Sequence, residues 1–263
     1  MAKKAIKKES GKIWEHEFAG KALLAFVNEL GVTVEDALMV CLENGIAVRV
    51  VDQSHVMMMT IKIGDGEEVG LSFGVQLRNI KEALAGYTKL NKKETQMVTM
   101  KYDDNTGQLH LDMGDKNYYT VRCLDKETMT PPQMPDMAFP VEVVVKDLEV
   151  KKLLLSMNKQ RTVGDLVEFS TGEDGFALNT RGSCSNWVSI FDAEVKVKGV
   201  DTELVSQYSL TYILPLLRQW KAAKEIKIEF GDRFPLKLSA NTDVGGHVIE
   251  SMAFLAPRVE NDY

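Results

Sequence analysis

The sequence lacks the marks of several large protein classes. No apolar stretch is long enough to span a bilayer, and the basic first ten residues have no apolar signal-peptide region. The three cysteines, Cys41, Cys123 and Cys184, form no CxxC pair, which argues against a disulfide framework or a cysteine-rich zinc site. We therefore expect an intracellular protein with reduced thiols and no membrane partner.

Catalytic motifs are also missing. The four histidines, His16, His55, His110 and His247, are scattered and show no metal-ligand spacing. Ser54 and His55 are neighbours whose side chains point to opposite faces of a strand, so they form no nucleophile–base pair. No GxxxxGK[ST] loop is present for nucleotide phosphates. We predict that the chain is not an enzyme and that it holds neither a cofactor nor a metal ion.

The chain contains an internal repeat. Glu43–Asp52 resembles Glu173–Gly182 at an offset of 130 positions, and the same offset aligns Met57 with Trp187. Each repeat opens on a pair that favours a tight hairpin turn, Asn44-Gly45 in the first and Asp174-Gly175 in the second.

Helical periodicity marks two segments in each half of the chain. The four predicted helices are Phe18–Leu30, Val75–Lys89, Asp147–Arg161 and Ser209–Lys224. Because a proline inside a helix costs about 3 kcal/mol, we expect Pro215 to lie in the first turn of the last helix. Short strands separated by turn signals surround the helices, so the sequence predicts an α+β protein of two similar domains.

Positive charge is concentrated in the predicted helices. They carry eleven lysines and arginines against four acidic residues, although the net charge of the whole chain is −6. Lysine and arginine without interleaved aromatic residues suit phosphate contacts that carry no sequence information. We therefore predict that one surface contacts duplex DNA through Lys21, Arg78, Lys81, Lys89, Lys151, Lys152, Lys159, Arg218, Lys221 and Lys224.

A proline-rich segment separates the two halves. Leu124–Pro140 holds four of the seven prolines, so it continues neither a helix nor a central strand and is predicted to be an extended connector. It also carries apolar residues such as Leu124 and Met129. These side chains either pin the connector to the body of the protein or form one wall of a partner-binding groove.

Three segments resemble a known family. Arg49–Val56 is similar to the Asp-x-Ser-His-Val segment of the sliding clamp proliferating cell nuclear antigen (PCNA). Phe234–Leu238 and Phe254–Arg258 resemble that family's last strands and its Leu-Ala-Pro-Lys/Arg tail, and Ser209–Leu214 is similar to the start of its last helix. The resemblance covers nearly the whole chain and favours an archaeal or archaeal-virus clamp.

The resemblance implies a DNA clamp fold with two topologically similar domains. Three identical subunits would form a ring, with helices lining the central hole and antiparallel sheets outside. The domains would be residues 11–123 and 141–263, joined by the interdomain loop 124–140. The expected function is that of a processivity factor, which encircles duplex DNA and tethers DNA polymerase, flap endonuclease and DNA ligase through client peptides of the PIP-box type. A clamp loader would open the ring, in the cytoplasm of an archaeon or the nucleus of a eukaryote.

The resemblance also assigns two sites. The client-peptide groove would be formed by Val51, Ser54, His55, Val56, Met58, Leu124, Met129, Pro235, Phe254, Leu255, Ala256 and Pro257. The subunit interface would pair strands near Lys116–Cys123 and Arg181–Ile190, with Tyr118, Tyr119, Val121, Cys184, Trp187 and Val188 in contact. Alternatively, Met58 and Phe254 are ordinary core residues.

Other functions remain open from the sequence. The chain could be a clamp paralogue that acts in a mixed ring of three different subunits, or a peptide-binding scaffold that encircles nothing. A metal-independent hydrolase is the remaining alternative, and the missing catalytic motifs argue against it.

Overall fold

The computed structural model describes residues 12–90, 96–172, 175–198 and 204–258, without the side chains of residues 88–90. All four predicted helices are present. They are α1 (Gly20–Leu30), α2 (Leu77–Leu90), α3 (Leu148–Gln160) and α4 (Leu210–Gln219). Short 3-10 turns are present at Lys126–Thr128, in the connector, and at Trp220–Ala222, directly after α4.

The strands form three antiparallel sheets. The first has the order β1-β4-β5-β6, with β1 (Ile13–Ala19), β4 (Met97–Asp103), β5 (Gln108–Asp112) and β6 (Tyr118–Arg122). The second has the order β10-β9-β8-β12, with β8 (Leu166–Gly172), β9 (Gly175–Arg181), β10 (Asn186–Phe191) and β12 (Leu204–Ser209).

The third sheet has seven strands in the order β11-β7-β13-β14-β15-β3-β2. They are β2 (Asp36–Val51), β3 (Met57–Gln76), β7 (Val141–Lys146), β11 (Glu194–Val197), β13 (Glu225–Phe230), β14 (Leu236–Val244) and β15 (His247–Leu255). Strands β2 and β3 precede the connector and the other five follow it, and β15 pairs with β3. One sheet therefore joins the two halves of the chain. The division into domains at residues 124 and 140 stays a prediction.

The helices lie side by side in a row. Helix α1 packs against α2 and α4, and α3 packs against α4, which gives the order α2-α1-α4-α3. The inward stripe of each helix is apolar, as periodicity predicts, and Leu23, Phe26 and Leu217 are buried beneath the row. The opposite side of the row is free to present polar residues.

Two local predictions were wrong. Asn44-Gly45 makes no hairpin turn, because both residues lie inside β2, opposite Asp65 and Gly64, where two irregularities in register absorb the local twist. In the second repeat Gly172 pairs with Gly175 at a hairpin, although Asp174 lies outside the described residues. Pro215 lies inside α4 rather than in its first turn. Buried Ile213, Leu214, Leu216 and Leu217 offset its cost.

A buried acid links the first helix to the 3-10 turn that follows the last one. The indole Nε1 of Trp220 donates a hydrogen bond to Oε1 of Glu29 over 2.6 Å. Burial is the main cause that raises the pKa of Glu29 from 4.5 to about 7, and hydrogen bonding, first to Ser251 and then to Trp220, offsets it only in part.

We expect this carboxyl group to make stability fall as pH rises. The folded chain keeps the proton up to pH about 7, whereas the unfolded chain releases it near 4.5. The stabilisation is therefore complete below the unfolded pKa and is lost as pH rises through the folded pKa, by about 3 kcal/mol. Urea denaturation at pH 5 and pH 8 should show this loss in the wild type but not in Glu29→Gln, whose amide oxygen still accepts from Trp220. Glu35→Gln, on an exposed residue nearby, is the control and should keep the wild-type profile.

Candidate functional site

The predicted basic residues lie on the exposed side of the helix row. Lys81, Lys151, Lys159, Lys221 and Lys224 are all exposed, as are Arg78, Lys152 and Arg218, while Lys21 is half-buried. The side chain of Lys89 lies outside the described part of the chain. The helices thus place one positive surface on the side of the molecule away from the core.

Neighbouring acids temper this charge at two places. Arg78 pairs with Glu82 over 2.8 Å on α2, and Lys152 pairs with Glu149 over 3.0 Å on α3. Exposed pairs of this kind are worth little and are readily exchanged for phosphate. Lys81, Lys151 and Lys221 form no ion pair within 4.0 Å among the described residues, so we expect them to contribute most of the attraction to phosphate.

Helix α3 also exposes two leucines that belong to the apolar periodicity by which the sequence marks this helix. Leu148 is 76% exposed and Leu155 is 66% exposed, one heptad apart and among the lysines of the same face. Helical periodicity groups them with the apolar stripe of the helix, and that prediction was wrong, because both side chains are exposed. The exposed side of the helix row is therefore less uniformly charged at α3 than at α4.

The connector is pinned to the strands that precede it. The amide of Leu124 donates to the carbonyl of Gly74 over 2.8 Å, and Lys126 pairs with Asp104 over 2.8 Å. Farther along, Nη1 of Arg49 donates to the carbonyl of Pro132 over 3.2 Å, and the hydroxyl of Thr60 donates to Sδ of Met134 over 3.3 Å. Arg49, Pro132 and Met134 were absent from the predicted groove, because only the fold brings β2 and β3 beside the connector.

The end of β15 lies beside the loop that follows β2. The amide of Ala256 donates to the carbonyl of Val56 over 2.9 Å. The loop is held by Asp52, whose carboxylate accepts from the amides of Ser54 (3.0 Å), Val56 (2.8 Å) and Met57 (2.6 Å). Half-buried Val51, Val56, Met58, Pro235 and Pro257, with exposed Ser54, His55 and Ala256, are accessible in this region.

Two predicted groove walls are buried, one on each face of β15. Leu255 is only 3% exposed, and its side chain faces the core of the seven-stranded sheet, so it cannot contact a peptide. Phe254 is buried and its ring packs 6.3 Å from that of Phe139. Met129 lies close to Gly74 and so anchors the connector: its Sδ would be 2.6 Å from a Cβ added there. The prediction of Leu255 as an accessible wall was wrong, because alternation along β15 turns it inward.

Strands β6 and β10 are both sheet edges and both expose apolar side chains. Tyr118 on β6 is 71% exposed, and Trp187, Val188 and Ile190 on β10 are 41%, 54% and 47% exposed. Tyr119 and Val121 are half-buried, and Cys184 is exposed in the turn before β10. Apolar edge strands of this kind are open to pairing with another strand.

Backbone hydrogen bonds show which amides are free to pair. The amide of Met113 donates to Asn117, and that of Cys123 donates to Gly107, at the two ends of the β5–β6 ladder. Because bonded pairs alternate in an antiparallel ladder, Thr120 points its amide away from β5. The same reasoning from the Gly182–Ser185 hydrogen bond turns the amides of Val188 and Ile190 away from β9.

Comparison with known proteins found no matching family model. The DNA polymerase sliding clamp of Methanococcoides burtonii is 23% identical over 242 residues, covering 90% of this chain and 94% of the relative. The DNA polymerase sliding clamp of Halobacterium salinarum is 24% identical over 246 residues, covering 90% and 94%. A structure of the C-terminal region of FEN-1 bound to A. fulgidus PCNA matches with a TM-score of 0.80 and 20% identity, over 95% of this chain and all 100% of that chain. The chain is therefore similar, over nearly its whole length, to sliding clamps of the archaeal PCNA type.

A second solved PCNA shares the same fold. PCNA from Thermococcus kodakaraensis matches this chain with a TM-score of 0.77 and 18% identity, over 94% of this chain and 100% of that one. Among the described residues, no helix has the length and apolar character that crossing a membrane requires. The described part also contains no cluster of three or more histidine, cysteine, aspartate or glutamate side chains suited to a metal ion.

Proposed function

We propose that three copies of this clamp close into a ring that encircles duplex DNA and tethers a replicative polymerase and other replication and repair enzymes. The helix row would face the duplex in the cytoplasm of an archaeal cell. A clamp loader would open the ring, and flap endonuclease and DNA ligase would bind through peptides. The observation that carries the proposal is the pairing of β15 with β3 inside the chain. The repeat makes β6 equivalent to β15 and β10 equivalent to β3, and β6 and β10 are unpaired sheet edges among the described residues.

Equivalent rows of residues cross the first and third sheets. In the first sheet the row runs His16, Met100, Leu111, Tyr119 and ends at the free edge of β6. In the third sheet the equivalent row runs Val143, Ile228, Leu238, Ala253 and continues to Met59 on β3. Within the described part of the chain no strand follows Tyr119 in this row, and a second copy can supply it.

The internal repeat indicates which strand of the second copy would pair with β6. At the offset of 130 positions, Met59 corresponds to Ser189 on β10. Tyr119 of one copy would therefore lie opposite Ser189 of the next, and Thr120 opposite Val188. This register brings together the amides that point away from β5 and β9, and it covers the exposed side chains of Tyr118 and Trp187. Geometry, exposed apolar area and repeat all support the same contact.

A disulfide should report this register. Thr120→Cys with Val188→Cys, in a Cys184→Ser background, places two thiols on facing Cα atoms about 5.5 Å apart, within disulfide range. Mild oxidation should yield covalent dimers and trimers on denaturing gels. The control pair, Thr120→Cys with Ile190→Cys, lies on a diagonal of about 7–8 Å and should cross-link far less. Equal yields from both pairs would show that the register is wrong, and no cross-link from either would contradict ring closure through these edges.

We further propose that clients bind between the connector and the β15 tail. The accessible apolar walls there are Val51, Val56, Met58, Met134 and Pro257. Methionine adapts to several partners because its side chain is unbranched and polarisable. The fixed loop around Asp52 keeps one wall ordered before a peptide arrives, which lowers the entropic cost of binding.

Met134→Asp should weaken a peptide taken from the C-terminal region of a flap endonuclease by more than about 1 kcal/mol, because a buried anchor would meet a charge. Calorimetric titration measures the change. Gln133→Asp adds the same charge at an exposed neighbour and should bind almost as the wild type does. If Met134→Asp also binds normally, the groove lies elsewhere.

A further inference from the structure

A chain of buried polar side chains runs beneath strand β10. The hydroxyl of Thr180 donates to Oε1 of Gln160 over 2.7 Å, and Nε2 of Gln160 donates to Oγ of Ser156 over 3.1 Å. The hydroxyl of Ser156 donates to Oγ of Ser189 over 2.7 Å. Nε1 of Trp187 donates to the same Ser189 oxygen over 3.0 Å. The chain thus links β9 to α3 and α3 to β10, and it ends at the indole of Trp187.

Every member of this chain has a fixed role as donor or acceptor. Gln160, Thr180 and Ser156 are buried, so a broken link would leave a polar group without water. The hydroxyl protons of Thr180 and Ser156 are both used within the chain. The Ser189 oxygen is therefore left to accept a hydrogen bond from the indole of Trp187. This hydrogen bond forms in one orientation of the indole, so it fixes the Trp187 rotamer beside the open edge of the sheet.

We infer that this polar chain pre-orients Trp187 as the central anchor of the subunit contact. The inference rests on the ring proposed above, in which Val121 of the next copy lies opposite Trp187. Tryptophan is the residue type most often found as an interface anchor, and an ordered side chain loses less entropy on binding than a mobile one. Thr180, Gln160 and Ser156 would be positioning residues, which act on assembly without touching the neighbouring subunit.

Other contacts fix the far end of the same strand. The ammonium group of Lys152 lies 5.3 Å from the centre of the Phe191 ring, and Glu149 accepts from the amide of Asp192 over 3.3 Å. Strand β10 is therefore fixed on α3 at Ser189 and beyond Phe191. Exposed Ile190 lies between these points, and exposed Trp187 and Val188 lie just before them, on a strand whose position is already set.

The test is the dissociation constant of the ring, measured by sedimentation over a dilution series. Thr180→Val keeps the shape of the side chain but removes the first donor, and it should raise the constant by roughly five- to tenfold for each interface. Thr180→Ser restores the hydroxyl and should return the constant to near the wild-type value. Ser189→Ala removes the acceptor on β10 itself and should weaken the ring at least as much, so the test does not depend on one variant folding.

A double-mutant cycle separates positioning from general stability. In a Trp187→Ala background, Thr180→Val should produce no further weakening, because the anchor that it orients is gone. If the two changes instead add in full, the polar chain is only structural and the inference is overturned. If the wild type itself is monomeric at all concentrations tested, the proposed ring and this inference both fall. A wild-type ring with an additive cycle contradicts the inference alone.

Discussion

Proline at Thr120 or at Val188 is expected to leave a folded monomer that no longer assembles. Each substitution removes an amide that points to the open side of an edge strand, so the sheet inside the subunit keeps its own hydrogen bonds. The edge-to-edge ladder between subunits would lose a donor at its centre and meet the proline ring. Light scattering should give the mass of one 29.4 kDa chain, whereas the wild type should give three.

The matched control is proline at Val197 on the edge strand β11. The hydrogen bond from the amide of Lys198 to the carbonyl of Pro140 turns the amide of Val197 away from β7. Val197→Pro therefore removes an outward-pointing amide from an edge strand that the proposed ring does not use, and this variant is expected to remain a trimer. Tyr119 is unsuitable as a test site, because its amide bonds to β5 and its replacement would damage the fold. A trimer in both Thr120→Pro and Val188→Pro would place the subunit interface elsewhere.

Reversing three exposed bases on the helix row is expected to abolish retention on DNA. Lys81→Glu, Lys151→Glu and Lys221→Glu together replace attraction by repulsion at α2, at α3 and in the turn after α4, three times around a ring. Each lost phosphate contact should lower the dependence of log K on log salt by about 0.9. Retention on nicked circular DNA after loading, and binding measured at several salt concentrations, should both show the change.

The control is a set with the same change in charge on residues outside the helices. Lys12, Lys198 and Arg233 are exposed at the ends of strands and in the turn after β13, and their reversal to glutamate should leave most binding intact. Both triple variants should remain trimers by light scattering. Equal losses from the two sets would mean that net charge governs binding and that the helix row is not the DNA-facing surface.

The sequence predicted the helices and the fold class because the signals for both are local. The apolar stripe that includes Leu23 and Phe26 recurs every three or four residues, and the structure confirms α1 at the predicted place. The offset of 130 positions also survived, since it aligns Met57 at the start of β3 with Trp187 near the start of β10. Periodicity and repetition need no knowledge of long-range contacts.

The errors arose where distant segments decide the outcome. Asn44-Gly45 favours a turn by itself, but pairing with β3 extends the strand through it. Leu255 belongs to a motif that suggests a groove, yet its position on β15 turns its side chain to the core. Met134 could be assigned to the groove only from the structure, which places Thr60 of β3 beside the connector. These facts depend on register between strands, which no local pattern contains.

The pairing of β15 with β3 also bears on how the chain is synthesised. Ile63 leaves the ribosome early, whereas its partner Ile249 comes close to the end of the part described. At roughly 5–20 residues per second, translation of the stretch between them takes on the order of 10–40 s. During that time the backbone edge of β3 from Met57 to Ile63 has no partner strand, and apolar unpaired edges aggregate. Nascent chains should therefore need a holding chaperone until β15 emerges, and a circular permutant that begins with β15 should need it less.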